Sequence, residues 1–458
     1  MHGVSVLVAG AGLAGLTAAH DLMSVGATVT VIDARNRAGG RVWTIRDDFI
    51  DGQHAEAGGD LIDEAQHEIC GLCKDLGLTL APILRNGWGY VRQDDSGRPR
   101  LAGRRATGGW DRLPARLADL IHAYLLAEKR WDSPIAADMA RRSVAQWLDE
   151  IRADEKLRGT VRGLRAFFLA DPDDLSLLAL VDQFAEGNGS WPGRMYRIKG
   201  GNDRLTAALA APLGHRLRLS TELVAVTHRG RGVKVSVRHA GGVSQLDGDY
   251  LVLTLPATML CRVPITPALP AQQHAAIAKL RYGRATKTLL QFSRRFWRAP
   301  GRPRAFGSAL PLGAIWEGTE EQRGRAGILT LLAGGSASDA TQTMFTGNGP
   351  RRMVEALDWL GSRRAELVGS RLVSWEADPF ARGGYAYFDP AFDPSLRSWL
   401  ARPCGRLFFA GEHTSFRWQG YMNGAVESGR RAAAEVAASH RLLGGSGLTA
   451  SGSSRPQP

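Results

Sequence analysis

The chain has 458 residues, 44% of them hydrophobic and 22% charged, and carries a formal net charge of +13. That length can bury a large core in two or three domains, and no apolar run approaches the roughly 20 residues needed to span a bilayer. The positive charge is mostly Arg, scattered in short pairs such as Arg104-Arg105 and Arg363-Arg364 without zinc-finger spacing or an RNA-binding aromatic signature, so no nucleic-acid partner is expected. Four cysteines in so long a chain make no disulfide framework. Cys70 and Cys73 have CxxC spacing inside a helical pattern, which reads as core packing rather than metal or redox work. Val4 already opens the first predicted strand, so the expectation is a cytoplasmic protein without a leader, off the membrane.

The chain opens with a strand over residues 4–9 that runs into Gly10-Ala11-Gly12-Leu13-Ala14-Gly15. Each glycine has its own task. Gly10 permits a tight turn, Gly12 lets backbone N–H groups approach a pyrophosphate, and Gly15 lets the following helix pack on the strand. The helix start adds the positive end of its dipole. A second strand, 29–32, ends at Asp33, placed to accept hydrogen bonds from a ribose diol, and Gly39-Gly40-Arg41 follows. Together these predict a dinucleotide-binding turn.

Further on, helical periods cover 110–127, 143–152 and 157–169, and a helix is predicted at 203–209. Strands follow at 216–219, 222–228, 233–239 and 250–255, the last stopped by Pro256. Strand candidates at 287–292 and 327–332 and a helix at 351–360 come next. A buried strand at 406–412 precedes a long helix from about 424 to 442, and 444–458 reads as a disordered tail. The predicted fold is α/β, with a discontinuous Rossmann-like nucleotide-binding domain and an inserted α+β domain. The first would comprise 1–85, 201–263 and 401–443, and the second 86–200 and 264–400. Ligand sites favour such domain interfaces.

Residues 29–44, 56–60, 250–256 and 406–434 carry a resemblance to the flavin amine oxidases, the monoamine, polyamine and L-amino acid oxidases. The likeness spans the chain apart from the tail and is thin between about 86 and 195. It implies FAD, with the first domain an FAD-binding domain of the GR2 type and the second a substrate domain. Gly10, Gly12, Ala14 and Gly15 would hold the pyrophosphate, Asp33 the ribose, and Arg35, Gly40 and Arg41 the phosphate side. Gly58, Gly59 and Asp60 would pass the flavin ring, Leu223 would offer backbone to the adenine, and Gly411, Glu412 and Met422 would complete the cofactor site. A helix is expected to start just after Gly411-Glu412 as a second anion site. Where some monoamine oxidases attach flavin through a Cys, this chain has Gly383-Gly384-Tyr385-Ala386, so the FAD is expected to be non-covalent.

The resemblance also implies hydride transfer from the carbon beside an amine nitrogen, giving an imine that water hydrolyses, with oxygen returning as hydrogen peroxide. Tyr421 and Tyr385 would form an aromatic cage, with Trp375 and Trp418 near it. Lys287 is out of place in an apolar strand and matches a lysine linked through water to the flavin; otherwise it snorkels at the strand end. His413 reads as a structural hydrogen bond rather than a proton carrier. Asp60 either offers a negative charge to a cationic substrate or caps the next helix, and an α-carboxylate would need Arg417 or Arg382. The substrate stays open between an amine and an L-amino acid, as does oxidase against dehydrogenase, and so does a homodimer. A carotenoid-type FAD desaturase and a flavin-bound scaffold protein are the rival readings.

Overall fold

Five parallel strands bring both ends of the chain into one sheet, in the order Leu217–Arg218, Thr28–Ile32, Ser5–Ala9, Tyr250–Leu253, Leu407–Phe409. The computed structural model that shows this describes residues 1–94, 96–101, 113–185, 193–230 and 232–445. The central strands are continuous apolar runs because both sheet faces are covered. Val6 and Val8 join the cluster under the helices, while Leu7 and Ala9 join the cluster on the opposite face. The first helix, Leu13–Ser24, packs against the long last helix, Met422–Gly445. Gly429 makes that approach possible, since a Cβ there would lie 2.4 Å from the Ala14 carbonyl oxygen.

A four-stranded sheet of residues 222–266 flanks this core, with Glu222–Arg229, Gly232–His239 and Gly242–Gly248 as an antiparallel meander. A mixed seven-stranded sheet forms the other large layer, in the order Leu367–Ser374, Ala285–Phe292, Gly327–Gly334, Ala314–Glu317, Ala305–Ser308, Trp88–Gln93, Pro99–Leu101. Ile62–Asp63, Met195–Ile198 and Leu80–Ile83 pair in a small three-stranded sheet. Short helices between 113 and 185 cover the apolar remainder.

The elements differ from expectation in several places. The helix predicted over 157–169 breaks at Leu164 into Glu155–Gly163 and Arg165–Phe168. No helix starts after Gly411-Glu412, where a single 3-10 turn, Glu412–Thr414, stands; the α-helix begins at Met422. Strands at 88–93, 242–248, 305–308, 314–317 and 367–374 were not predicted. Ala305–Ser308 and Ala314–Glu317 are buried at every position, and Gly242–Gly248 and Leu367–Ser374 are edge strands, so these four lack the alternation that marks a strand. The helical period over 110–127 is met by Leu113–Arg116 and Ala118–Leu126; its first residues, within 102–112, lie outside the described residues, as do 186–192 and 446–458 of the expected tail. Cys73 packs with Ile69 and Leu72 on the buried side of helix His67–Asp75. Among the described residues no helix is long and apolar enough to cross a membrane.

Candidate active site

A cavity of about 750 Å³ lies among the parallel sheet, the seven-stranded sheet and the short helices. All the predicted cofactor residues line it except Gly15, which stands behind the turn, and so do Lys287, Tyr385, Tyr421 and Trp375. A Cβ on Gly15 would sit 2.0 Å from the Gly10 carbonyl oxygen, so helix and strand meet there only through glycine. Gly10 takes φ +110° and lies against Thr254. Gly12 differs: a Cβ on it would meet nothing within 4 Å, and no side chain caps the helix it starts. Bare backbone N–H groups at the positive end of a 12-residue helix therefore face the cavity, a fit for a pyrophosphate. Asp33 binds the turn together, accepting from Ala11 N at 2.7 Å and Arg35 N at 2.8 Å. Leu223 lies on the wall where a bulge interrupts its strand before Ala225.

The Gly58-Gly59 loop is clamped from three sides. A Cβ on Gly58 would fall 1.8 Å from the Arg41 carbonyl oxygen, and one on Gly59 would fall 2.8 Å from Met422 Sδ. Trp375 donates its indole N–H to Ala57 O at 2.9 Å and is 4% exposed, so it sits beneath this loop. The Arg41 guanidinium donates to Gly384 O at 2.6 Å and Glu412 Oε1 at 3.0 Å; Glu412 Oε2 accepts from Gly420 N at 2.9 Å. Arg35 pairs with Asp378 at 2.5 Å. His413 is buried, its Nδ1 has no hydrogen-bond partner, and burial pushes its imidazole down to about 4. It is neutral at pH 7.

Two expectations are corrected here. Lys287 neither begins its strand nor snorkels: it is the third residue of Ala285–Phe292 and 2% exposed. Its ammonium donates to Gly58 O at 2.8 Å and Asp60 Oδ2 at 3.0 Å, and lies 5.2 Å from the Trp316 ring centre. Asp60 caps no helix, and its charge is not free for a substrate. It accepts from Arg197 Nε at 2.8 Å and Trp316 Nε1 at 2.9 Å besides Lys287. Burial pushes its carboxyl up, but the two cations outweigh that and hold it below the usual range. Arg197 also reaches Glu321 at 2.7 Å. Reading the sequence missed Arg197 and Trp316, although Arg197 inside the apolar strand Met195–Ile198 carries the same signal that singled out Lys287.

Tyr385 donates its hydroxyl to Phe167 O at 2.7 Å, and Gly420, at φ +82°, lets its ring come close. Tyr421 is enclosed by protein yet 37% accessible, because its ring faces the cavity; Trp418, off the lining, packs edge-on against it at 5.7 Å. Burial pushes both cavity phenols up, so they stay neutral. Arg382 and Arg417 also reach the wall. Arg397, another residue missed, stacks on Trp131 (4.1 Å), Phe388 (4.7 Å) and Phe416 (5.2 Å). It donates to Gln419 Oε1 and to the carbonyls of Ser415 and Phe416. Asp182 accepts from Tyr124 at 2.7 Å.

Known proteins share this architecture. Cyclohexylamine oxidase from Brevibacterium oxydans superposes with a TM-score of 0.83 at 25% identity, over 96% of this chain and 99% of that one. The putative flavin-containing monoamine oxidase AofH of Mycobacterium tuberculosis is 28% identical over 453 residues, 95% of this chain and 97% of that protein. Pig amine oxidase [flavin-containing] A is 25% identical over 95% of this chain and 85% of its own length. The model of the flavin-containing amine oxidoreductases matches residues 13–437, from the cofactor-facing helix start to the last helix. With its glycine turn, its buried lysine and its paired tyrosines all on one cavity, the chain belongs to that family of FAD-dependent oxidoreductases.

Proposed function

We propose that this chain oxidises an apolar primary or secondary amine, with molecular oxygen as acceptor. The carrying observation is that Tyr385, Tyr421, Lys287 and the Gly58-Gly59 loop line one cavity whose wall also carries the rings of Phe167, Phe168, Phe184, Phe388 and Phe416. Bound FAD supplies the hydride acceptor, so that the amine leaves as an imine, hydrolysed to a carbonyl compound and ammonia or an amine. The chain's own part is to bind, orient and dry the substrate. An alkylamine titrates near 10, roughly as lysine does, and burial among neutral rings disfavours its cation and frees the reactive base. The ring faces still attract the cation as it arrives.

Gly10, Gly12 and Ala14 would take the pyrophosphate, Asp33 the ribose side, and Gly58 and Gly59 the flavin ring. None of the four cysteines lines the cavity, which favours FAD held without a thioether. We assign 1–85, 201–263 and 401–443 to the FAD-binding unit and 86–200 with 264–400 to the substrate unit. Asp182 and Arg397 are both already bonded within the wall, which favours an apolar monoamine over a diamine or an α-amino acid. An L-amino acid is the second reading, supported by Arg382 and Arg417 on the wall.

An anaerobic screen of amines and amino acids for flavin bleaching tests both readings. Aryl and alicyclic alkylamines should bleach first, and air should then return the yellow colour with one peroxide per turnover. Bleaching by α-amino acids alone would transfer the proposal to the second reading. Lys287→Met should retain FAD and anaerobic bleaching while reoxidising at least about tenfold more slowly, the size of one lost electrostatic contact. Reoxidation at the wild-type rate would remove that role from Lys287.

A further inference from the structure

Asp60 follows the Gly58-Gly59 pair, and its carboxylate is fully committed inside the protein. Oδ1 accepts from Arg197, and Oδ2 accepts from both Lys287 and Trp316. These donors come from three strands in two sheets. Lys287 pairs with Leu332, which pairs with Ala314, two residues before Trp316. Lys287, Leu332 and Trp316 therefore share one face of the seven-stranded sheet, and Arg197 approaches from the small sheet. Exposure is 1% for Arg197, 2% for Lys287 and Trp316, and 7% for Asp60. An ammonium carries three N–H donors. Gly58 O and Asp60 take two, and Lys287 lines the cavity.

We propose that Asp60 is a positioning residue for reoxidation: it fixes Lys287 as a cation whose remaining N–H is turned to the cavity beside Gly58-Gly59. The inference rests on the oxidase reading above. In reoxidation the reduced cofactor passes two electrons and its one proton to molecular oxygen, solvent supplies the second proton, and hydrogen peroxide leaves. Negative charge builds on oxygen during that transfer, and a fixed cation in a dry site lowers its cost far more than one in water. A buried lysine tends to shed its proton instead. Burial holds the Lys287 ammonium below its ordinary range, opposed by Asp60 and weakly by Glu56, while Arg197 adds to the lowering. Glu321 offsets Arg197 from its far side. Burial and Asp60 push Glu56 up to about 8, so it is neutral at pH 7, leaving Asp60 as the carboxylate that keeps Lys287 charged.

The test compares FAD-loaded wild type, Asp60→Asn, Lys287→Met and the double variant, each reduced with stoichiometric dithionite and mixed with air across pH. A separate anaerobic reduction by amine checks the oxidase reading, so failure there is told apart from failure here. Asp60→Asn should reoxidise at least about tenfold more slowly at pH 8, with the alkaline limb of its profile lowered by about one pH unit or more. Lys287→Met should be slow with no such limb, and the double variant should be no slower than Lys287→Met. Melting of the FAD-free proteins gives a readout without turnover: Lys287→Met should lower the melting temperature of the wild type but not of Asp60→Asn. If Asp60→Asn does not fold, the double variant against Lys287→Met still decides, because it leaves no unpaired buried lysine. A wild-type pH profile in Asp60→Asn, additive melting losses, a double variant slower than Lys287→Met, or a reduced wild type that air does not reoxidise would each overturn the proposal.

Discussion

The two halves of the cavity wall are built in opposite ways. Around Gly10, Gly12, Asp33 and Gly40 the wall is backbone, shaped by a run of about thirty contiguous residues folded as strand, turn and helix. Around Lys287 it is side chain: Asp60, Lys287 and Trp316 line it with Arg197 behind them, four residues from distant segments that meet in one dry cluster. The first half tolerates few residue types because atoms would collide. The second tolerates few because charges would be left unpaired. Steric rules act locally and leave a motif, whereas charge pairing acts through space and leaves none.

The sharpest way to break that contrast is to put a Cβ where backbone meets backbone. Gly58→Ala should abolish FAD retention and cost about 3 kcal/mol or more in stability, because its Cβ would overlap the Arg41 carbonyl at 1.8 Å and neither chain can step aside. FAD content after purification and urea unfolding measure it. Normal FAD binding would mean that the loop is free to shift, and that the clamp from Arg41, Met422 and Trp375 is not what shapes it.

Gly12→Ala separates fold from cofactor. A methyl there touches no protein atom within 4 Å and suits its φ of −73°, so the FAD-free variant should melt with the wild type. It fills space beside the helix start, so FAD should bind at least about tenfold more weakly, or 1.4 kcal/mol. Calorimetric titration of the stripped protein reads the change. Undiminished affinity would take the pyrophosphate away from Gly12.

Arg397→Met probes the side-chain half where it meets the substrate arm. It removes a buried cation that ties Gln419, Ser415 O and Phe416 O to the stack of Trp131, Phe388 and Phe416. Losing bonds worth about 1.5–3 kcal/mol each to a charged donor should loosen the segment before Tyr421 and raise KM for an apolar amine severalfold. The dithionite-reduced variant should reoxidise normally, because the Lys287 cluster is untouched. A fall in reoxidation with KM unchanged would show the two parts of the wall to be coupled.

Legibility in the sequence followed the same division. Gly10 to Asp33, Gly39 to Arg41 and the C-terminal strand and helix were readable because glycine spacing and apolar periods record local geometry. The seven-stranded sheet was largely missed: Ala305–Ser308 and Ala314–Glu317 are buried at every position, so no alternation marks them. Lys287 stood out as a cation in an apolar strand, but the sequence gives no distance between it and Asp60, 227 positions earlier. Without that pairing, Asp60 read as a cap or a substrate contact. Arg397 was missed because its partners are rings and carbonyls from separate segments.

The smallest expected effect tests the charge state of the cluster itself. Glu56 accepts from Asn202 N and Thr44 Oγ1, both at 2.9 Å, and burial with Asp60 nearby pushes it from an ordinary value of 4.5 up to about 8. Between those values the native protein keeps a proton that the unfolded chain has released. Stability from this group is therefore full below about pH 4.5 and is lost as pH rises through 8. Glu56→Gln keeps the shape and the bond from Asn202, its NH2 can donate to a Thr44 hydroxyl turned to accept, and it cannot ionise. The melting temperature of the variant relative to wild type should rise steadily, by a few degrees, between pH 5 and 8, then level off. A difference independent of pH would mean that Glu56 is already ionised beside Arg197 and Lys287. Asp60 would then share with Glu56 the work of holding the lysine charged, and Asp60→Asn should move the reoxidation profile by correspondingly less.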